Sequence, residues 1–176
     1  MEKRVKLALI FFLFSLCSAK VTPSAHDKVD WINMPELTMK MKDEAKPVLI
    51  DIYTNWCYWC KVMDKKTYTN PKVIDYIKNH FYAVKFDAES KEVVQWKDKT
   101  YNFNDTYKIN DFALFVTAGQ PEFPTTVIIP DGNTQPIAIS GLLEPKDIEP
   151  ILKYFGEGAY KTQSYNEFKS TFKKSW

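Results

Sequence analysis

Cysteine, histidine and glycine are scarce in this 176-residue chain, which has three, two and five of them. Three cysteines (Cys17, Cys57 and Cys60) are too few for a disulfide scaffold. Zinc needs four ligands, usually from two cysteine pairs, and neither His26 nor His80 sits in a ligand-spaced motif. Charge of one sign is also lacking: the net charge is +2, and all of it lies in residues 1–19, where Lys3, Arg4 and Lys6 face Glu2. The remainder is close to neutral, which argues against binding nucleic acid or anionic lipid. No internal repeat, low-complexity tract, flavin motif or nicotinamide motif is present. The longest apolar run, Leu7 to Leu16, is too short to span a bilayer comfortably.

That run has a different reading. A basic stretch precedes it and Cys17-Ser18-Ala19 follows with small residues, so 1–19 reads as a secretory signal peptide. Acylation of Cys17, as in a lipoprotein, is disfavoured by the bulky Leu16 before it. Residues 20–176 are then expected to form one periplasmic or secreted domain without stable membrane insertion. Its apolar content (45% for the whole chain) suffices for a core. Its only thiols would be Cys57 and Cys60.

Those two cysteines stand at i and i+3, just after the apolar β-formers Val48, Leu49, Ile50 and Ile52 and at the start of a helical segment. A Cys-x-x-Cys pair has three readings: half of a zinc site, a structural disulfide, or a redox pair. So short a loop constrains little of an unfolded chain, which makes it a poor staple. On the first turn of a helix, unpaired N–H groups and the helix dipole stabilise a thiolate. Cys57 is therefore expected to be the exposed, low-pKa nucleophile, with Cys60 buried and resolving the mixed disulfide. Asp51 interrupts the apolar strand. It is either an outward-facing edge residue or a buried acid that takes the Cys60 proton, and its spacing to Cys57 favours the second.

The run Asp51-Ile-Tyr-Thr-Asn-Trp56-Cys57-Tyr-Trp-Cys60-Lys61 resembles the active-site segment of the thioredoxin superfamily. There too an Asp lies six residues before the first cysteine, Trp precedes that cysteine and Lys follows the second. Phe123-Pro124-Thr125-Thr126 resembles the family's cis-proline loop, and the likeness runs over about residues 28–155. One departure is the dipeptide Tyr58-Trp59, where thioredoxin itself has Gly-Pro and disulfide isomerases have His-containing pairs. The resemblance implies an α/β fold: a central mixed sheet with helices on both faces. It also implies that Phe123, Pro124 and Thr125 present backbone groups that hold an extended substrate strand beside Cys57. Trp56, Tyr58 and Trp59 would shape the apolar ground around the sulfurs.

The remaining pattern fills in this frame. Val29–Ile32 alternates like a short edge strand, and Asn33 and Asn70 are expected helix caps, each closely followed by a proline. Residues 89–119 form an insertion, with a hairpin expected about Asn104-Asp105 and a helix from Asp111 to Ala118. Its aromatics (Trp96, Tyr101, Phe103, Tyr107) form either a substrate-facing surface or a satellite core under a long loop. Pro130-Asp131-Gly132-Asn133 is expected to turn between two antiparallel strands. In the extension 156–176, Tyr165, Phe168 and Phe172 mark a short amphipathic helix.

Together these readings predict a thiol–disulfide oxidoreductase that acts on protein or peptide disulfides outside the cytoplasm and is recycled by a redox partner. No metal or other cofactor is expected. The uncharged Tyr58-Trp59 pair favours a reductase or isomerase over a strong oxidant. The alternative is a non-catalytic peptide- or partner-binding module with a passive disulfide, and metal delivery through the dithiol is a third reading.

Overall fold

A computed structural model describes residues 28–132 and 134–176. The expected leader, Cys17, His26 and Asn133 lie outside the described residues.

Local signals set the first elements. The Asn33 side chain accepts the Glu36 N–H at 2.9 Å and starts α1 (Met34–Asp43). After β1 (Val48–Tyr53) comes α2 (Tyr58–Lys66), and Asn70 accepts the N–H groups of Lys72 and Val73 to start α3 (Pro71–His80). Each such cap contributes about 1 kcal/mol. β2 (Tyr82–Asp87) follows. Val29–Ile32 is not an edge strand. The Trp31 N–H turns back to the Val29 carbonyl, and one bridge, Ile32 to Val84, is all the pairing it makes.

The insertion holds two hairpins where one was expected. β3 (Val94–Trp96) pairs with β4 (Lys99–Tyr101), and β5 (Phe103–Asn104) pairs with β6 (Ile109–Asn110). Lys97 and Lys108 turn these chains with φ of 55° and 58°, a conformation unusual for lysine and hard to anticipate from composition. Asn110 is fully buried and ties the insertion to its own start. Its amide donates to the Ser90 and Glu92 carbonyls, while its oxygen accepts the Phe112 N–H and starts α4 (Asp111–Val116).

The chain then lays down β7 (Thr125–Ile129), β8 (Ile137–Ser140) and α5 (Pro145–Gly156). A 3₁₀ turn (Ala159–Lys161) and α6 (Tyr165–Thr171) complete it. The main sheet has the order β2-β1-β7-β8, with β1 parallel to β2 and antiparallel to β7, and β7 antiparallel to β8. It is the mixed sheet of a thioredoxin-like α/β fold.

β1 lies inside the sheet, and its period-two alternation sends side chains to both faces. Val48, Ile50 and Ile52 join a core with Leu37 of α1, Phe112 of α4 and Val127. Leu49 joins another with Met63 of α2, Val73 and Ile77 of α3, and Ile148 and Leu152 of α5. The insertion extends the first core: the rings of Trp96 and Tyr101 stand 6.2 and 5.5 Å from that of Phe112. Those two aromatics are core residues, whereas Tyr107 is exposed. Tyr165 and Phe168 of α6 pack on Tyr154 of α5, each with ring centroids 5.3 Å away.

The fully buried Glu149 of α5 fastens the end of the chain. Its carboxylate accepts from the N–H groups of Ser175 and Trp176 and from the Ser175 hydroxyl, and pairs with Lys153 at 3.2 Å. No described helix is long and apolar enough to cross a membrane.

Candidate active site

β1 ends at Tyr53, and the next four residues carry the chain across the sheet's end to α2. This link is held from two sides. The Asn55 amide donates to Asp87 and the Trp56 indole N–H to Glu89, both at 3.0 Å, while the Cys57 N–H donates to the Thr54 carbonyl. Cys57 is thereby set as the N-cap of α2, and Cys60 falls within its first turn. The two are joined in a disulfide, with Cα atoms 5.4 Å apart. The Cys60 N–H donates to Cys57 Sγ at 3.0 Å. The sulfur thus occupies the place where a side-chain oxygen caps a helix, with a backbone donor and the positive end of the dipole beside it.

Exposure does not distinguish the two cysteines as the sequence led us to expect. Cys57 is 4% exposed and Cys60 3%, so both are buried in the disulfide form. Large apolar side chains flank them in the chain. Trp56, Tyr58 and Trp59 are exposed large side chains, and the Tyr58 and Trp59 rings meet edge to face at 5.2 Å. Helix position still separates the sulfurs: Cys57 is at the cap, while Cys60 lies inside the helix.

The Phe123–Pro124 peptide bond is cis. Phe123 meets Trp56 edge to face at 5.9 Å, which brings this loop to the cysteines. Of the three residues assigned to substrate contact here, Phe123 is the half-buried one at the surface. Pro124 is buried and its carbonyl accepts the Gly141 N–H at 2.8 Å. Thr125 is fully buried and its hydroxyl donates to the Glu122 carbonyl, so its side chain braces the loop rather than lining the surface.

Asp51 is buried, 2% exposed. It shares the sheet face of Leu49, and its register neighbours are Lys85 on β2 and Thr126 on β7. A polar row Lys85–Asp51–Thr126 therefore crosses three strands beside the apolar row Ala83–Leu49–Ile128. Lys85 Nζ lies 3.4 Å from Asp51 Oδ2 and also pairs with Asp64 of α2. The Trp31 and Tyr53 rings flank that ammonium at 5.6 and 5.0 Å. Asp64 is four residues beyond Cys60, so both stand on one face of α2, and Lys85 ties that face to Asp51.

Burial lifts the Asp51 pKa from 3.8 to about 6, with Lys85 opposing the rise and the Asp64 charge adding to it. Tyr68, after α2, is kept a neutral phenol by burial and by the Asp51 charge. Asp51 Oδ1, the Tyr68 hydroxyl and the Thr126 hydroxyl are buried without hydrogen-bond partners among the described residues. Among those residues no cluster of three or more His, Cys, Asp or Glu is arranged to hold a metal ion.

The sequence points to Asp51 and both cysteines but leaves the cationic partner of the acid open, with Lys85 two residues from Ala83, which an ungapped register puts at the thioredoxin lysine position. Lys85 was visible as a lysine inside an apolar strand. Its pairing depends on the offset between two parallel strands joined by α2 and α3, which local pattern does not carry. Asp64 looked like one more charge on an exposed helix. Asp87 and Glu89, which fix the link before Cys57, gave no signal either.

Comparison with known proteins finds relatives of part of this chain. An uncharacterised protein of Caenorhabditis elegans is 32% identical over 78 residues, or 44% of this chain and 10% of that protein. The rat spermatogenesis-associated protein 20 is 31% identical over a stretch of the same length and coverage. A thiol:disulfide interchange protein DsbD of Campylobacter jejuni is 25% identical over 84 residues, 48% of this chain and 14% of that one. The matched stretch thus spans only 10–14% of the length of these curated relatives.

Two solved structures share the fold. One is a thioredoxin-fold protein from Helicobacter pylori, with a TM-score of 0.54 and 20% identity over 71% of this chain and 81% of that one. The other is described as "DsbH Oxidoreductase", with a TM-score of 0.55 and 17% identity over 78% and 91%. The model of the family described as "Thioredox_DsbH: Protein of unknown function, DUF255" matches residues 13–146, and the chain belongs to that family, within the thioredoxin superfamily.

Proposed function

We propose that this protein is a thiol–disulfide oxidoreductase that acts on protein cysteines outside the cytoplasm through a Cys57/Cys60 dithiol–disulfide cycle. The observation that carries the reading is the disulfide at the N-cap of α2, with Cys57 Sγ already accepting a backbone N–H. That donor and the helix dipole favour the Cys57 thiolate once the bond is reduced. The likeness to proteins named for thiol:disulfide interchange supports the same chemistry.

In the reductive direction, the Cys57 thiolate attacks a substrate disulfide. A Cys57–substrate bond forms, and one substrate sulfur leaves as a thiolate. Cys60 then gives its proton to Asp51 and attacks Cys57 Sγ. The Cys57–Cys60 bond forms, the mixed disulfide breaks, and the second substrate sulfur leaves as a thiolate that takes a proton from solvent. The substrate gains two electrons and the dithiol loses two, which a separate dithiol partner restores. Run backwards, the same steps oxidise a substrate. The uncharged Tyr58-Trp59 pair favours the reductase or isomerase direction. Trp56, Tyr58, Trp59 and Phe123 form the apolar contact surface, and backbone groups of the Phe123-Pro124-Thr125 loop hold an extended substrate strand beside Cys57. The extracytoplasmic site of action rests on the leader-like sequence of residues 1–19.

The test is the equilibrium of purified protein with glutathione and the reduction of a model protein disulfide. A Cys57–Cys60 bond that exchanges with millimolar glutathione and reacts at mildly acidic pH is expected. An unreactive bond would overturn the proposal and leave a binding module.

A further inference from the structure

Asp51 does not own its counter-ion. Lys85 Nζ stands 3.4 Å from Asp51 Oδ2 and also pairs with Asp64. The two carboxylates differ in access to water, since the Asp51 side chain is 3% exposed and that of Asp64 38%. A cavity of about 340 Å³ lies beside the pair, lined by Trp31, Asp64, Tyr68 and Lys85 among others. Lysine offers a compact charge with three rotatable donors, so a second carboxylate draws it away from the first.

We propose, resting on the role given to Asp51 above, that Asp64 is a positioning residue for exchange. By sharing the Lys85 ammonium, it keeps Asp51 basic enough to take the Cys60 proton. With Lys85 held by Asp51 alone, the ionised carboxylate would be stabilised and would accept a proton less readily. Asp64 also acts on Asp51 directly as a like charge, in the same sense. The other groups facing Asp51 add no competing titration. Tyr68, from the turn after α2, is kept protonated, and Thr126 from β7 carries no charge. Tyr53, at the end of β1, is likewise pushed up, first by burial and then by the Asp87 charge, with Lys85 opposing. The cysteines are covalently paired in the oxidised protein.

The experiment follows the Asp51 carboxyl by ¹³C NMR against pH in the oxidised full chain, with its signal assigned by loss in Asp51→Asn. This readout needs no turnover, so it stands whether or not the protein proves to be an oxidoreductase. Asp64→Asn is expected to lower the Asp51 midpoint by about half a pH unit or more. Asp64→Glu should restore it, and Lys85→Met should raise it. In parallel, the acid limb of mixed-disulfide resolution should move down with the midpoint in Asp64→Asn, with a several-fold slower rate above it. An unchanged or raised midpoint in Asp64→Asn overturns the proposal, as does an Asp64→Glu protein that titrates like Asp64→Asn. A lowered midpoint with an unmoved rate profile supports the shared ammonium and overturns Asp51 as the proton acceptor.

Discussion

Replacing Asp51 by Asn removes a buried charge while keeping side-chain shape, and its effect on stability depends on pH. Burial raises the folded pKa from 3.8 to about 6, so between these values the folded protein holds a proton that the unfolded chain has released. Stability of the wild-type protein therefore falls as pH rises from about 4 to about 6, and then levels off. A rise of that size corresponds to about 3 kcal/mol at its plateau, and it is already net of the Lys85 attraction. Asp51→Asn should be nearly neutral at pH 4 and more stable than wild type by about 2–3 kcal/mol at pH 8. The introduced amide has the Tyr68 and Thr126 hydroxyls for company. Urea denaturation of the oxidised protein at both pH values reads the difference. The same substitution should slow resolution of mixed disulfides, because Cys60 loses its proton acceptor. Stability and activity would then move in opposite directions. A variant less stable at pH 8, equally stabilised at pH 4, or resolving at the wild-type rate would refute the reasoning.

Other substitutions probe other joints of the molecule. Cys60→Ser should accumulate mixed disulfides with protein substrates and Cys57→Ser should not, as read on non-reducing gels; the reverse pattern would exchange their roles. Phe112→Ala removes the ring on which Phe86, Trp96 and Tyr101 converge, and should cost about 3–5 kcal/mol in denaturant titration. A loss below about 1 kcal/mol would mean that the insertion packs independently of the sheet. Glu149 would be pushed up by burial alone, yet its bonds to Ser175, Lys153 and Trp176 hold its pKa below 4.5. Its contribution is present above about pH 4.5 and lost as pH falls through the lower folded value. Amide protection at Ser175 and Trp176, taken relative to the intrinsic exchange rate at each pH, should fall on that descent and at neutral pH in Glu149→Gln, and unchanged protection would dismiss the clamp.

Sequence by itself determined the parts of this protein that depend on neighbours along the chain. Asn33 and Asn70 announce α1 and α3 because a cap acts on N–H groups two or three residues away. The near-continuous apolar run of β1, interrupted only by Asp51, marks a strand buried on both faces. Cys57 and Cys60 reveal their pairing because i and i+3 meet on the first turn of any helix. The insertion was legible only in part: Asn104-Asp105 signalled one turn, while the turn at Lys97 needs a left-handed lysine that no composition rule suggests. Tertiary structure alone decided the surroundings of Asp51. Its row with Lys85 and Thr126 is fixed by strand offsets, and those are set where helices of both layers pack against the sheet. Because Lys85 reaches Asp64 on α2 as well, the basicity of the buried acid depends on residues 13 and 34 positions away in the chain, which no local pattern encodes.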